Sequence, residues 1–249
     1  MHRLLVGTKL LNEDAPTLPK DAARHLKVLR PKDGEEIELF DGKGKWRTYG
    51  WNSATSSLRA QSDIRTIEHS NNSLTLFACV TKGSRWDWTI EKATELGVTQ
   101  IVPVISERTI VRIPKTDRAA KRERWLRIAE DAARQSDAKW LPEICEAVDF
   151  RDALPLVNAT TCFIGALTNP PPRPLAAAVA EKVKVEGGGE QRNWSVFVGP
   201  EGDFTPGELE ALMEIAVPTS FGPTILRAET AAIFAVSVLA SFINNGKAD

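Results

Sequence analysis

The feature that most constrains the fold is a change of rhythm at residue 74. From there on, short apolar runs alternate with helix-length amphipathic segments: 74-LTLFACV-80, 100-QIVPVI-105, 161-TCFIGA-166, 194-WSVFV-198 and 218-PTSFG-222. Continuous apolar runs of this length are what strands covered on both faces require, and that is the condition of a parallel sheet. Helices are predicted near residues 85 to 96, 118 to 138, 174 to 182, 206 to 216 and 228 to 245. The alternation argues for an α/β domain with a mainly parallel sheet. The second helix is well supported, with Trp125, Ile128, Ala129, Ala132 and Ala133 on one face. The last is apolar nearly all round, so it is either a core helix or one packed against another subunit.

Before residue 74 the pattern has a period of two. Alternating segments 35-EEIELFDGKGKWRTYGW-51 and 58-LRAQSDIRTIE-68 are split by Gly-rich turns, as in a small β-barrel. Ahead of them, 19-PKDAARHLKVLR-30 keeps Ala22, Leu26 and Leu29 on one helical face and stops at Pro31. The polar segment 69-HSNNS-73 reads as a linker, 169-NPPPRP-174 as a stiff connector and 186-EGGGEQR-192 as a mobile surface loop.

Charge is split between the two ends. Residues 1 to 140 carry 25 Lys and Arg against 19 Asp and Glu, whereas residues 141 to 249 carry 7 against 14. One end is suited to a polyanion and the other is not. No apolar run reaches the roughly 18 to 20 residues that span a bilayer, and MHRLLVGTKL lacks a signal-peptide profile. Cys79, Cys145 and Cys162 are far apart and unpaired in pattern, which predicts buried thiols, no metal site and a reducing cytoplasm.

The chemistry concentrates in two loops. In 198-VGPEGDFTPGELEAL-212, Thr205, Pro206 and Glu208 form a capping box with proline at the first helical position. The helix therefore starts at about Pro206 and leaves 199-GPEGD-203 as a tight loop at the carboxyl end of a strand, where open α/β sheets bind ligands. Pro200 removes a backbone donor, and Glu201 and Asp203 repel phosphate, so a neutral or cationic ligand suits the loop better than a nucleotide. Walker, Rossmann, G-x-S-x-G and H-E-x-x-H patterns are absent from the chain. Alone, the loop is equally a structural turn with a good cap. However, 221-FGPTILRAETAAIFA-235 repeats the scheme, and the two loops would wall one crevice. Arg227 sits near the positive end of the last helix, where the dipole disfavours a cation. It is either paired with Glu229 or aimed at a substrate oxygen.

The pairing of 199-GPEG-202 with 225-ILRAETA-231 resembles the RsmE family of 16S ribosomal RNA uridine-N3 methyltransferases, of the SPOUT superfamily. The resemblance extends to HLKVLR at His25 to Arg30, to 82-KGSRWDWTIEKATELGVTQIVPVISERT-109 and to 124-RWLRIAEDAARQSDAKWLPEI-144. It implies a PUA-like RNA-binding β-barrel over residues 1–70 and a SPOUT α/β methyltransferase domain over 74–249. A C-terminal trefoil knot and the cofactor site would fall in about 161–245. Homodimers, S-adenosylmethionine as cofactor and the small ribosomal subunit as partner follow, with the decoding-region uridine 1498 of 16S rRNA as target.

Carried over position by position, Gly199, Pro200, Glu201 and Gly202 form one wall of the donor pocket. Phe221, Gly222, Ile225, Leu226, Thr230 and Ala231 form the other, with Ala166 and Leu167 at a strand end nearby. Arg227, Glu229 and Gln135 are the candidate catalytic residues. Arg3, Arg24, His25, Lys27, Arg30, Lys82 and Arg85 are candidates for RNA contact, with the nine basic residues between Arg108 and Arg134 as a further phosphate-facing segment and Trp46 or Trp51 as stacking platforms. The chain departs from the family pattern at Asp203, where a second glycine is usual, at Pro223-Thr224, where a basic residue is common, and at Asp137-Ala138-Lys139, where a Gly-Arg pair is common. A non-catalytic RNA-binding protein and an α/β enzyme with another cofactor are the competing readings.

Overall fold

A computed structural model describes residues 1–159, 161–168, 170–186 and 191–244. The chain forms two compact units. One comprises Met1–Ser70 with Glu130–Leu141, the other Asn71–Ala129 with the chain from Pro142 onward.

In the first unit β1 (His2–Leu5), α1 (Lys20–Leu29), β2 (Glu36–Phe40), β3 (Lys45–Asn52), β4 (Ser57–Ala60) and β5 (Arg65–Thr66) follow in order. The five strands form one sheet, with β1 parallel to β2 and the rest antiparallel. Leu4, Leu26, Ile37, Leu39, Tyr49 and Leu58 make its core. Buried Tyr49 donates its hydroxyl to the Leu11 and Glu13 carbonyls at 3.2 and 3.1 Å, which satisfies the one polar atom it brings inside. The 137–141 segment lies against this sheet, with the Leu141 N–H on the Gly42 carbonyl, the Gly44 N–H on the Lys139 carbonyl, and Lys139 in ion pairs with Glu38 and Asp137. The helical periodicity of residues 118–136 gives no sign that residues 130–141 belong with the N-terminal unit.

The second unit is built on β6 (Ser73–Cys79), α2 (Ser84–Glu95), β7 (Gln100–Ile105), α3 (Arg118–Ser136, whose end lies in the first unit), β8 (Glu143–Ile144), β9 (Val148–Asp149) and α4 (Phe150–Ala153). It continues with β10 (Thr161–Gly165), α5 (Leu175–Glu186), β11 (Asn193–Val198), α6 (Pro206–Met213), β12 (Val217–Thr219) and α7 (Ala228–Asn244). All its strand pairs are parallel, in the order β12-β10-β11-β6-β7-β8, with β9 also on β7. The five expected strands and five expected helices are present. The short β8, β9 and α4 were not anticipated, because two- to four-residue elements carry no readable period. Of the two expected connectors, residues 169 and 187–190 lie outside the described residues.

The continuous apolar runs now have their reason. Leu74, Leu76, Ala78 and Val80 face a core shared with α2, α3, α5 and α7, while Phe77 and Cys79 face a second core with α4 and α6. The long strands are therefore apolar along most of their length and not only at alternate positions. Helix α7 buries Ala232, Ala235, Val236, Leu239 and Ala240 against this core and leaves a stripe of Thr230, Phe234, Ser237 and Ser241 outward. It is mainly a core helix, and small polar groups account for most of its outer face. Cys79, Cys145 and Cys162 are free, and burial pushes each thiol up to about 11, so all three are protonated and unreactive at neutral pH. Among the described residues no helix is long and apolar enough to cross a membrane, and no group of three or more His, Cys, Asp or Glu is placed to hold a metal ion.

Candidate active site

The order β12-β10-β11 creates the site. After β11 the chain crosses to the far side of β10 to lay down β12, so the loops following β11 and β12 diverge at the carboxyl end of β10. This is the switch-point geometry at which open α/β sheets take ligands. The crevice there encloses about 630 Å³ of space, open mouth included. Gly165, Ala166 and Leu167 line it from β10, Val198 to Glu201 and Asp203 from the loop after β11, and Ser220 to Gly222, Thr224 to Leu226, Ala228 and Ala231 from the segment leading into α7. No lysine or arginine is among these residues, whereas Glu201 and Asp203 are, so the crevice is unsuited to phosphate.

Two local features shape it. A Cβ on Gly165 would lie 2.5 Å from the Phe221 ring, so only glycine lets Phe221 lie across the end of β10. Phe221 in turn packs on Phe234 of α7, with ring centroids 5.8 Å apart. Opposite, the Asp203 N–H closes a turn on the Pro200 carbonyl at 2.9 Å. Asp203 itself adopts φ 59°, the left-handed conformation that makes glycine usual there, and its Oδ1 accepts the Phe204 N–H at 2.8 Å. Aspartate is one of the few residues that tolerates this region, because it satisfies the local backbone. Asp203→Gly therefore leaves the thermal midpoint nearly unchanged. Asp203→Val forces a β-branched side chain into the region at a cost of about 1–2 kcal/mol, a drop of roughly 2–8 °C in differential scanning calorimetry; a valine variant as stable as wild type would contradict this account of the turn.

The capping box at the start of α6 is formed as expected. Thr205 Oγ1 accepts the Glu208 N–H at 3.3 Å, and Glu208 Oε2 accepts the Thr205 N–H at 2.9 Å. The loop between is held from outside the crevice as well, by Arg85 on Glu201 at 2.9 Å and by Arg108 on the Gly202 carbonyl at 2.9 Å. The sequence counts Arg108 among the phosphate-facing basic residues and gives no sign that it holds this loop.

The structure gathers most of the expected pocket residues at the crevice. Gly202 and Thr230 are not among its lining residues; Gly202 turns its carbonyl to Arg108, and Thr230 is on the outer stripe of α7. Gly165, Val198, Ser220 and Ala228 line it without having been singled out, and Asp203 and Thr224, noted in the sequence but not as pocket residues, line it too. Arg227 is exposed at the start of α7, between lining residues Leu226 and Ala228, with its carbonyl accepting the Ala231 N–H at 2.8 Å. It has no ion-pair partner among the described residues, so the pairing with Glu229 is not formed. Glu229 is buried in the first turn of α7, and its Oε2 has no hydrogen-bond partner there. Gln135 is exposed on the part of α3 that belongs to the first unit.

The candidate RNA residues divide by environment. Arg24, His25, Lys27, Arg30 and Lys82 are exposed, while Arg3 is engaged by Glu38 and Asp137 and Arg85 by Glu201. Though its side chain is exposed, partial desolvation of the ring, with Arg134 and His2 adding to it, holds His25 below the ordinary histidine value, so the ring is mainly neutral at pH 7. Much of the charge counted between Arg108 and Arg134 is spoken for: Arg118 pairs with Asp149, Arg122 with Glu123, Arg124 with Asp87 and Arg134 with Asp131. Trp51 packs on the first unit's core, and Trp46 has the Lys139 ammonium 4.9 Å over its ring.

Comparison with known proteins agrees with this geometry. The model of an RNA methyltransferase domain matches residues 68–240, and that of an RNA methyltransferase PUA domain matches residues 18–49. The chain is 31% identical over 160 residues to the ribosomal RNA small subunit methyltransferase E of Bacillus subtilis, covering 64% of this chain and 61% of that protein. The same enzyme of Neisseria gonorrhoeae, solved bound to S-adenosyl methionine, superposes with a TM-score of 0.80 at 30% identity over 97% of each chain. A putative methyltransferase of Legionella pneumophila, solved with its cofactor SAM, does so with a TM-score of 0.81 at 26% identity over 96% of each. A switch-point crevice walled by GPEG and ILRAETA, preceded by a PUA-type unit and matched by the family model over most of its length, places the chain in the RsmE family of RNA methyltransferases.

Proposed function

We propose that this protein transfers the methyl group of S-adenosylmethionine to N3 of a uridine in 16S ribosomal RNA, at position 1498 of the decoding region. The observation that carries this reading is the crevice between two glycine-containing loops at a switch point, whose lining residues include no lysine or arginine and two carboxylates. Such a lining fits a sulfonium cation that carries no phosphate. The relatives solved with that cofactor support it further. Gly199 to Glu201, Phe221, Gly222, Ile225, Leu226, Ala166, Leu167 and Ala231 would hold the donor by backbone and apolar contact, with Gly202 and Thr230 acting from the second rank. The donor supplies an electrophilic methyl group when bound.

The chain's own task is to orient uracil and stabilise the negative charge that develops as its N3 proton leaves. Arg227 is the group suited to this, since it is charged, exposed and unpaired among the described residues beside the crevice. Holding a cation where an anion develops is worth several kcal/mol in a preorganised site. Glu229 and Gln135 would hold the base or the arginine. Neutral His25 is available as a proton acceptor if a second subunit brings it to the site, and homodimerisation, with the C-terminal trefoil knot, belongs to this proposal. Arg24, Lys27, Arg30 and Lys82 would contact phosphates, with Arg3 and Arg85 contributing after exchange of their carboxylate partners. The reading needs no metal, and the reducing cytoplasm is its compartment.

The test is to mix the protein with labelled S-adenosylmethionine and either 30S particles or free 16S rRNA, then map the label by nuclease digestion and nucleoside analysis. Label in 3-methyluridine at the decoding-region site is the expected result. Binding of RNA without transfer would instead establish a non-catalytic RNA-binding protein.

A further inference from the structure

The loop that forms one wall of the crevice is gripped from behind by a turn that does not line it. That turn, residues 106–109 after β7, is itself rigid. Ser106 and Thr109 are buried and bonded to each other through their hydroxyls at 2.9 Å, the Ser106 N–H donates to Thr109 Oγ1 at 3.0 Å, and Arg112 ties the Ser106 and Glu107 carbonyls at 3.2 and 2.7 Å. From this base Arg108 Nη1 donates to the Gly202 carbonyl at 2.9 Å and reaches the Phe204 carbonyl at 3.4 Å. Its aliphatic stem packs on Gly202, where a Cβ would stand 3.6 Å from both Cβ and Cδ of the arginine. One residue earlier, the Glu107 N–H donates at 2.9 Å to Glu208 Oε1, whose partner oxygen completes the capping box. The turn therefore fixes the middle and the far end of the 199–208 segment at once.

We propose that Arg108 is a positioning residue for the methyl-donor pocket, holding the Pro200–Asp203 turn in its ligand-ready shape. The inference rests on the reading that this crevice takes S-adenosylmethionine. The physical reason is preorganisation: a loop already fixed by a charge-assisted bond to its carbonyls loses little freedom when a ligand docks against its other side. Arg108 touches no lining position on the ligand side, so its effect falls on binding of the donor and not on the chemical step.

The experiment is calorimetric titration of S-adenosylmethionine into the full chain for wild type, Arg108→Ala, Arg108→Lys and a control, Lys184→Ala on the exposed side of α5, with donor KM, kcat and the ligand-free thermal midpoint for each. Arg108→Ala is expected to weaken donor binding and raise donor KM by about tenfold or more, with kcat within about twofold and the ligand-free midpoint little changed. Arg108→Lys, which keeps one donor to Gly202, should recover part of the loss, and Lys184→Ala should behave as wild type. Wild-type binding with an unaffected Arg108→Ala variant would overturn this inference and leave the functional reading standing. A wild-type protein that binds no S-adenosylmethionine would overturn the functional reading itself. A variant whose binding, kcat and midpoint fall together, without recovery by lysine, would assign Arg108 to general stability and defeat the proposal.

Discussion

Arg227→Ala is expected to lower methyl transfer by about 10²–10³-fold, the loss seen when one preorganised donor to a developing anion is removed. The fold should not suffer. Arg227 is exposed and carries no ion pair among the described residues, and its structural bond, the Ala231 N–H on its carbonyl, is a backbone contact that alanine keeps. Relief of a cation at the positive end of α7 even favours the variant slightly. Donor binding measured by calorimetry should stay close to wild type, because Arg227 is not a lining residue. Arg227→Lys keeps the charge but not the planar fork and should recover only part of the rate. Steady-state kinetics with labelled donor and rRNA check this, and an alanine variant turning over within a few-fold of wild type would remove Arg227 from the mechanism.

Trp194→Ala carries the largest expected cost in stability, about 3–5 kcal/mol. Trp194 is fully buried on β11, between β10 and β6 in the middle of the parallel sheet. Its indole meets Phe163 edge-on at 6.2 Å and has the Arg192 guanidinium 5.8 Å over its ring. Truncation empties a large volume that two hydrogen-bonded neighbour strands prevent from collapsing. Against a typical total of about 5–15 kcal/mol for a domain, that is a third or more of the stability. Trp194→Phe refills most of the volume and removes an indole N–H that has no partner among the described residues, so it should cost much less. Urea unfolding followed by far-UV circular dichroism reads both variants; an unshifted midpoint for the alanine form would show that this core is not the one holding the sheet together.

Two departures from the family pattern acquire a common explanation. Asp203 and Asp137 both stand where a glycine is usual, and both adopt positive φ, 59° and 64°. The sequence exposes the substitution but not its harmlessness, which depends on a dihedral angle and, at Asp203, on a side-chain bond to the next N–H.

The sequence by itself determined the parts that depend on local order. Runs that are apolar almost without a break require strands covered on both faces. The capping box fixed the start of α6, and Pro200, Glu201 and Asp203 argued against phosphate before any geometry was known. What only the tertiary structure decided are relations between distant segments. The crossing of the chain between β11 and β12 puts two loops around one crevice, and Gly165 clears the space for Phe221, 56 residues on in the chain. Ion pairs to remote carboxylates engage Arg3, Arg47, Arg85, Arg118, Arg124 and Lys139, charges that composition counts as free, and the turn after β7 places Arg108 behind a loop nearly a hundred residues away. Local pattern records which face a residue presents, because periodicity is set by neighbouring covalent geometry. It holds no record of which remote segment that face will meet, because that is set by strand order and by the packing of side chains across the sheet.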